Sequence, residues 1–405
     1  MKILGYLRLP LQTLMPLVMM SSIACAGTTQ AVISNLEVVQ SVPIETTLAV
    51  PGIRLTQDVW LELISSAQKS IDLEEFYIDE EAGQSLEPIV NAVLAAAARG
   101  VQVRLIVDLK FYKTYPDVPN QFSNIQNIQV KTIDFSSLGG IQHSKFIVVD
   151  QSHSFVGSAN FDWLALTHIH EVGLNINDEQ TGSGLETIYD QDWSVGSPIG
   201  TPQFSINFHA LQAPQNGTQS GTVDTEVSGM QLVASPISDL PKGIPQSLNA
   251  IVQLLGTAKN SIKIQVYQYS TKSVSTTDKT TRWTALDTAI RAAAARGVQV
   301  QMIVDAVALK TASLELKALA GQKNILVRSV VIPQWSGGPI AYARLIHSKY
   351  FTVDGVSAWV GTENWSESYF TGCRNVGVIL HSQNTATQLG QIFDRVWNSS
   401  YITAM

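Results

Sequence analysis

Two histidine–lysine pairs mark this chain of 405 residues: His143 with Lys145, and His347 with Lys349. Each pair is followed by an aspartate (Asp150, Asp354), a glycine (Gly157, Gly361), a hydroxyl residue (Ser158, Thr362) and an asparagine (Asn160, Asn364), and every member of one set lies 204 positions from its counterpart. These residue types suit chemistry on a phosphodiester, an anion that repels nucleophiles until its charge is neutralised. Two lysines can neutralise the non-bridging oxygens while two asparagines donate hydrogen bonds to them. One neutral histidine can attack phosphorus and form a covalent phosphohistidine. The other, protonated, gives its proton to the leaving oxygen and then takes one from the water or alcohol that attacks the intermediate. The set asks for no metal or other cofactor. The sequence has neither a Cys/His spacing for zinc nor an acidic cluster built to hold a cation.

Residues at i and i+2 of a strand point to one face, so each His-x-Lys pair needs a strand beneath it. The flanking sequence supplies one twice. The run from Ala95 to Val103 returns from Ala292 to Val300, and the apolar run ending in Asp108 returns ending in Asp305, both offset by 197 positions. A repeat at 197 that becomes 204 at the motif puts seven extra residues in one loop. Apolar periodicity predicts helices over 58–68 and 87–99 and strands over 71–78, 101–107, 146–149 and 172–176, with Gly100 as a helix stop. The second half repeats this with helices over 248–258 and 283–296 and strands over 262–269 and 298–304. Such β-α-β alternation implies sheets covered by helices on both faces. The expected fold class is therefore α/β, with two similar α-β-α sandwich domains related by an internal pseudo-two-fold and the active site at their interface.

The expected boundaries are a signal peptide over 1–26, an N-terminal leader over 27–50, a first domain over 51–195, a linker over 196–235 and a second domain over 236–405. The signal peptide rests on Lys2 and Arg8, an apolar stretch broken by Pro10 and Pro16, and the Ala24-Cys25-Ala26 cleavage pattern. It implies a secreted, periplasmic or lumenal protein; a retained membrane anchor is the alternative. Cleavage after Ala26 would leave Cys373 as the single cysteine, so stability must come from packing and not from a disulfide. A net charge of −7 argues against wholesale wrapping of nucleic acid. Asn216-Gly217-Thr218 in the linker is a glycosylation pattern in a eukaryotic secretory cell.

Both motif copies fit H-x-K-x4-D followed by G-[SGT]-x-N, and on those residues the chain resembles the phospholipase D superfamily. The stretches Gly157 to Trp163 and Gly361 to Ser366, with Tyr342-Ala343-Arg344 and Tyr369-Phe370, are similar to the branch of endolysosomal exonucleases and poxvirus envelope phospholipase-like proteins. The resemblance implies His143, Lys145, Asp150, His347, Lys349 and Asp354 as the catalytic set, although both aspartates sit at strand ends, where they would mainly hold turns. It implies Ser158, Asn160, Thr362 and Asn364 as substrate-binding. Glu171 falls where family members carry a histidine-orienting carboxylate; its counterpart is Asn375. A carboxylate partner fixes the imidazole tautomer and supports positive charge on the ring. On that ground His143 is assigned as nucleophile and His347 as acid, a choice that phosphate trapped on His347 would reverse.

The remaining histidines, His153, His168, His170, His209 and His381, have no repeated partners and read as structural. Trp163, Trp335 and Trp365 are candidates for a substrate wall or for buried packing. Two substrates suit the motifs: a phospholipid, with transient contact to a membrane surface, or single-stranded nucleic acid. No long basic stripe alternates with aromatics, and the balance leans to phospholipid. A fold that keeps the motifs but serves as a membrane-binding scaffold is the third reading. Because one chain carries both motifs, a monomer suffices.

Overall fold

The computed structural model describes residues 36–200, 229–274 and 280–404. Its frame is a pair of large mixed sheets, one from each half of the repeat. The first runs in the order Ser197–Pro198, Ile128–Ile133, Gln102–Asp108, Ser70–Glu75, Phe146–Val149, His153–Gly157, Glu171–Asn177, Leu36–Ser41 and Arg54–Leu55. The second runs Ile402–Ala404, Ile325–Val330, Gln299–Asp305, Ser261–Val266, Lys349–Val353, Ser357–Gly361, Asn375–Leu380 and Met230–Ser235. In each sheet three central strands are parallel and the strands on the motif side are antiparallel. Parallel neighbours need long crossovers, and the helices Glu87–Ala98 and Ala285–Ala295 provide them. Strands covered on both faces read as continuous apolar runs, as Leu105, Ile106 and Val107 do.

Helices Thr56–Ser66 and Glu87–Ala98 cover the outer face of the first sheet around Trp60, Leu73 and Val93. Ser247–Thr257 and Ala285–Ala295 cover the outer face of the second around Leu254, Ile264 and Ile290. The inner faces share one core. Phe146, Val156 and Ile188 of the first half join Tyr350, Val360 and Phe393 of the second in one continuous cluster. The two helices Glu179–Val195 and Gln383–Trp397 contribute to this shared layer. The α/β sandwiches expected from the repeat are thus present, fused through a common core.

Two boundaries move. The stretch read as a leader contains Leu36–Ser41, which pairs antiparallel with Glu171–Asn177, Ser41 lying opposite Glu171. The stretch read as a linker contains Met230–Ser235, paired with Asn375–Leu380, Ser235 lying opposite Asn375. Each covers the open edge of a strand that begins at the residue assigned to orient a histidine, which leaves no unpaired ladder there. A six-residue strand beside turn-rich sequence carries too little alternation to be read. The strand expected over 71–78 stops at Glu75, and the backbone then turns so that Phe76 and Tyr77 leave the sheet. The signal peptide and Asn216 lie outside the described residues. Among those described, no helix is long and apolar enough to cross a membrane.

The halves approach closely at two glycines. A β-carbon on Gly140 would lie 2.0 Å from the Gly372 carbonyl oxygen, and one on Gly372 would lie 2.5 Å from the Leu138 oxygen. Backbone on both sides cannot yield cheaply. Gly140→Ala is therefore expected to destabilise the fold by about 1–3 kcal/mol, as overpacking does in close-packed interiors, and urea unfolding would measure the loss.

Candidate active site

The loop before each motif is held by an aspartate at the end of a central strand. Asp108 Oδ1 accepts from the Lys110 and Phe111 N–H groups and caps a short helix, while Oδ2 accepts from Gln142 N–H at 2.9 Å. Asp305 does the same with Val307 and with Ile346, the latter at 2.8 Å. Each aspartate therefore fixes the residue just ahead of its half's histidine. The sequence signal existed, since both aspartates close the repeated apolar run. Burial pushes both carboxyls up to about 6 against the pull of these backbone donors.

Across the interface the halves exchange backbone hydrogen bonds. His143 N–H donates to Arg374 O at 2.9 Å, and His347 N–H donates to His170 O at 3.0 Å. The side-chain partners cross as well. His347 Nδ1 lies 2.7 Å from Glu171 Oε1, and His143 Nδ1 lies 2.9 Å from Asn375 Oδ1. Asn375 Nδ2 donates to Tyr369 O at 2.7 Å, which leaves Oδ1 as an acceptor facing His143. Both imidazoles therefore carry hydrogen on Nδ1 and present a bare Nε2 when neutral. The carboxylate of the first half serves the histidine of the second. Ser158 Oγ donates to Glu171 Oε2 at 2.5 Å, and Thr362 Oγ1 donates to Asn375 Oδ1 at 3.0 Å. Both hydroxyls are fully buried and brace the histidine partners.

Lys145 and Lys349 are buried and each donates to the carbonyl of its own histidine, at 2.6 and 2.5 Å. Desolvation disfavours the ammonium form. It pushes Lys145 down to about 7, opposed by Glu75 and Glu171, and drives Lys349 well below the usual lysine range, opposed chiefly by Glu171. Both histidines are also held well below their ordinary value, first by burial and then by the two lysines. The reach of Lys349 to His143, and of Lys145 to His347, places all four groups in one electrostatic site. Glu171 is raised to about 7 by burial against the pull of Lys349. Glu75 and Glu363 were not singled out from the sequence. Both are buried; Glu75 leaves both carboxylate oxygens, and Glu363 leaves Oε1, without a protein hydrogen-bond partner among the described residues. Glu74 and Glu75 were legible as adjacent acids in a strand that also carries Asp72. Among the described residues no group of three or more metal-ligating side chains comes together.

The chain matches the family described as cardiolipin synthase, PLD-like domain, over residues 60–193 and 251–397, once in each half. It belongs to the phospholipase D superfamily. Phospholipase D Z of Dictyostelium discoideum is 32% identical over 384 residues, covering 91% of this chain and 90% of the relative. The 5'-3' exonuclease PLD4 of Mus musculus is 29% identical, covering 91% and 79%. The virion nicking-joining enzyme of Monkeypox virus is 27% identical, covering 85% and 84%. The solved phosphatidylserine synthase of Haemophilus influenzae Rd KW20 shares the fold at a TM-score of 0.66 and 13% identity, over 92% of this chain and 87% of that one. The chain is a phosphodiesterase of this superfamily, and the branch suggested by its motif flanks is the one found.

In this phospholipase D-like chain a cleft of about 430 Å³ opens beside His347 and Asn160. Six aromatic rings line it, Phe76, Tyr77, Phe111, Tyr115, Tyr267 and Tyr342, together with aliphatic side chains and Asp162. Phe76 packs 5.1 Å from His143, and Tyr267 packs 4.9 Å from His347. Tyr77 stacks on Tyr115 at 4.6 Å, accepts from Asn160 Nδ2 at 3.0 Å and donates to Asp162 at 2.5 Å. The tryptophans considered for this role do other things. Trp365 is buried in the second outer core, and Trp163 and Trp335 pack on His168. Phe76 and Tyr267 follow equivalent strands, Ser70–Glu75 and Ser261–Val266.

Asp150 and Asp354 stand apart from this chemistry. Asp150 accepts from the N–H groups of Gln68, Lys69 and Ser70, and Asp354 from those of Lys259, Asn260 and Ser261, at 2.7–2.9 Å. They follow the far ends of strands Phe146–Val149 and Lys349–Val353, a strand's length from the lysines, where they hold turns. Asp150→Ala is expected to cost roughly 1–3 kcal/mol, as loss of hydrogen bonds to a charged acceptor does, and to leave turnover per folded molecule unchanged. Unfolding curves paired with active-site titration would test both halves of that statement.

Proposed function

We propose that the chain hydrolyses phospholipid diesters, and transfers the phosphatidyl group to alcohols, through a phosphohistidine on His347 with His143 as the acid and base. The crossed partners support this order and reverse the one expected from sequence. A carboxylate on Nδ1–H of His347 increases electron density at Nε2 and offsets the positive charge that Nε2 acquires on bonding phosphorus. The Asn375 amide fixes the tautomer of His143 with no such offset, so protonated His143 gives up its proton readily. Lys145 and Lys349, with Asn160 and Asn364, would hold the non-bridging oxygens. The bound anion restores charge to lysines that burial has pushed down.

The aromatic cleft carries the choice of substrate. None of its described lining residues is a lysine or arginine. Two carboxyl groups, Asp79 and Asp162, lie close to the rings and raise the phenol of Tyr115 after burial does; burial raises both acids as well, Asp162 to about 7. Rings with nearby carboxylates favour a small ammonium alcohol through cation–π attraction, and they disfavour a polyanion tracking past the site. The stacked pair of Tyr77 and Tyr115 favours a second reading, a single base at the end of a nucleic acid strand. The N-terminal signal would deliver the enzyme outside the cytoplasm, where it meets a membrane surface transiently. One chain holds the whole site, so a monomer would suffice.

Purified protein in EDTA, offered phosphatidylcholine with ethanol and, in parallel, labelled single-stranded DNA, separates these readings. Phosphatidylethanol formation that persists in EDTA and changes little with salt is the expected result. Shortened DNA with no lipid turnover would replace it with the nuclease reading. His143→Ala and His347→Ala should each remove nearly all turnover, and the double variant should lose little more, because the two histidines act as one unit. Acid-quenched protein should carry label from substrate phosphate on His347; label on His143 would restore the opposite order.

The pH dependence has a definite sign. His143 must be protonated to act as acid, and its free-enzyme value lies below the ordinary 6.5, so kcat/KM should fall as pH rises through that lowered value. His347 must be neutral, and its lowered value keeps it so into acid. Glu171, raised to about 7, must keep its negative charge to support His347, so kcat/KM should also fall as pH drops below about 7; a plot of kcat/KM flat from pH 5 to 8 would contradict the assignment.

A further inference from the structure

Behind His143 lies a buried ionic cluster that neither motif accounts for. Arg374 is fully buried. Its Nε and Nη2 donate to the two carboxylate oxygens of Asp192 at 2.6 and 2.7 Å, and Nη2 also donates to Asp239 at 2.5 Å. Nη1 donates to Ser235 O at 3.0 Å. Asp192 sits on the first-half helix Glu179–Val195, and Asp239 sits in the second half. The guanidinium therefore joins the halves, and its planar fork meets Asp192 with two parallel bonds.

The Arg374 backbone meets the motif directly. Its N–H donates to Ile141 O at 3.0 Å, and its carbonyl accepts from His143 N–H at 2.9 Å. The next residue, Asn375, supplies the only side-chain oxygen on His143 Nδ1 among the described residues. Glu74 closes the ring from the other side. It accepts from Ser144 Oγ at 2.8 Å and from Gln142 Nε2 at 3.2 Å, and the charges of Asp192 and Arg374 act on it. Both chain neighbours of His143 are thus tied to one buried cluster.

The equivalent place behind His347 is built differently. His170 stands 204 positions before Arg374, and it accepts backbone N–H donors from His347 and Ser348 at 3.0 and 3.1 Å. Its side chain meets Gln265 at 3.3 Å, and Gln265 replaces Glu74 at the matching strand position. Burial holds His170 down to about 4, so this support is uncharged near neutrality. The repeat thus carries a permanent charge behind one histidine only, and it is the histidine without a carboxylate partner.

We infer that Arg374 is a positioning residue that aims His143 at the leaving oxygen, by pinning the strip from Ile141 to His143 and the Asn375 amide across the interface of the halves. The inference rests on the assignment of His143 as the acid. A proton donor matters in proportion to the basicity of the leaving group, so its misplacement should spare activated substrates.

The test measures Arg374→Met and Arg374→Lys on two substrates. One is bis(p-nitrophenyl) phosphate, whose leaving group needs little protonation. The other is whichever of phosphatidylcholine or thymidylyl-thymidine the wild type cleaves. For Arg374→Met, kcat/KM on the alkyl diester, which reports the leaving-group step alone, is expected to fall on the order of 100-fold, the scale of general acid catalysis, with kcat/KM on the nitrophenyl diester within a few-fold of wild type. The alkaline limb of the pH profile should move, and Arg374→Lys should recover part of both changes. Equal losses on both substrates, tracking the folded fraction by thermal melting, would reduce Arg374 to a purely structural role and overturn the inference. Unchanged kinetics would overturn it too. A wild type silent on every diester would instead remove the phosphodiester reading beneath it, a result distinct from a silent Arg374→Met beside an active wild type.

Discussion

Two ammonium groups buried in one site are the constraint on which the rest of this structure depends. Removing an ion from water costs several kcal/mol even after the protein relaxes, and like charges add to that cost. Lys145 and Lys349 are tolerated because each bonds a backbone carbonyl and because Glu75, Glu171 and Glu363 lie within electrostatic reach. Burial that depresses lysines and histidines and raises carboxyls leaves a site near electrical balance, and a phosphodiester supplies the negative charge that lets both lysines ionise fully. The site is thereby pre-organised for anionic oxygens in surroundings where water cannot screen them.

A duplicated frame makes this possible, because it delivers two equivalent His-x-Lys strands to one place and lets both sandwiches share a core. Equivalence of geometry does not carry over to chemistry. Glu171 answers to Asn375, Arg374 to His170, and Glu74 to Gln265. Each substitution separates the electrostatics of the two histidines while the backbone exchange across the interface stays the same. In the proposed mechanism two groups with the same ordinary pKa take opposite protonation states, and their surroundings are what can divide them.

The aromatic cleft continues that division outward. Phe76 and Tyr267 each lie against a histidine and beneath a lysine, 4.9 and 5.7 Å from the ammonium groups. Further out, Tyr342 is 83% exposed at the cleft with a positive φ of 60°, uncommon for a bulky residue. Arg344 braces that turn by donating to Pro333 O at 2.7 Å and to Ile44 O at 2.8 Å. The rim is therefore made of backbone from both halves, as the catalytic floor is.

Much of this was legible in the residues alone. The apolar periodicity, the helix stop at Gly100 and the paired motifs fix which side chains share a face, because those are consequences of local periodicity. Asp108 and Asp305 were visible as repeated endpoints. Tertiary structure decided what depends on packing across the interface: that strands from the apparent leader and linker complete the sheets, that Ser158 and Thr362 point inward, and that Asp150 and Asp354 serve distant turns. Above all it decided which histidine receives the carboxylate. Glu171 and His347 are 176 residues apart, and spacing within one repeat pairs Glu171 with its own half. Only the close approach of the two halves gives it to the other, because a hydrogen bond follows distance in space and carries no memory of distance along the chain.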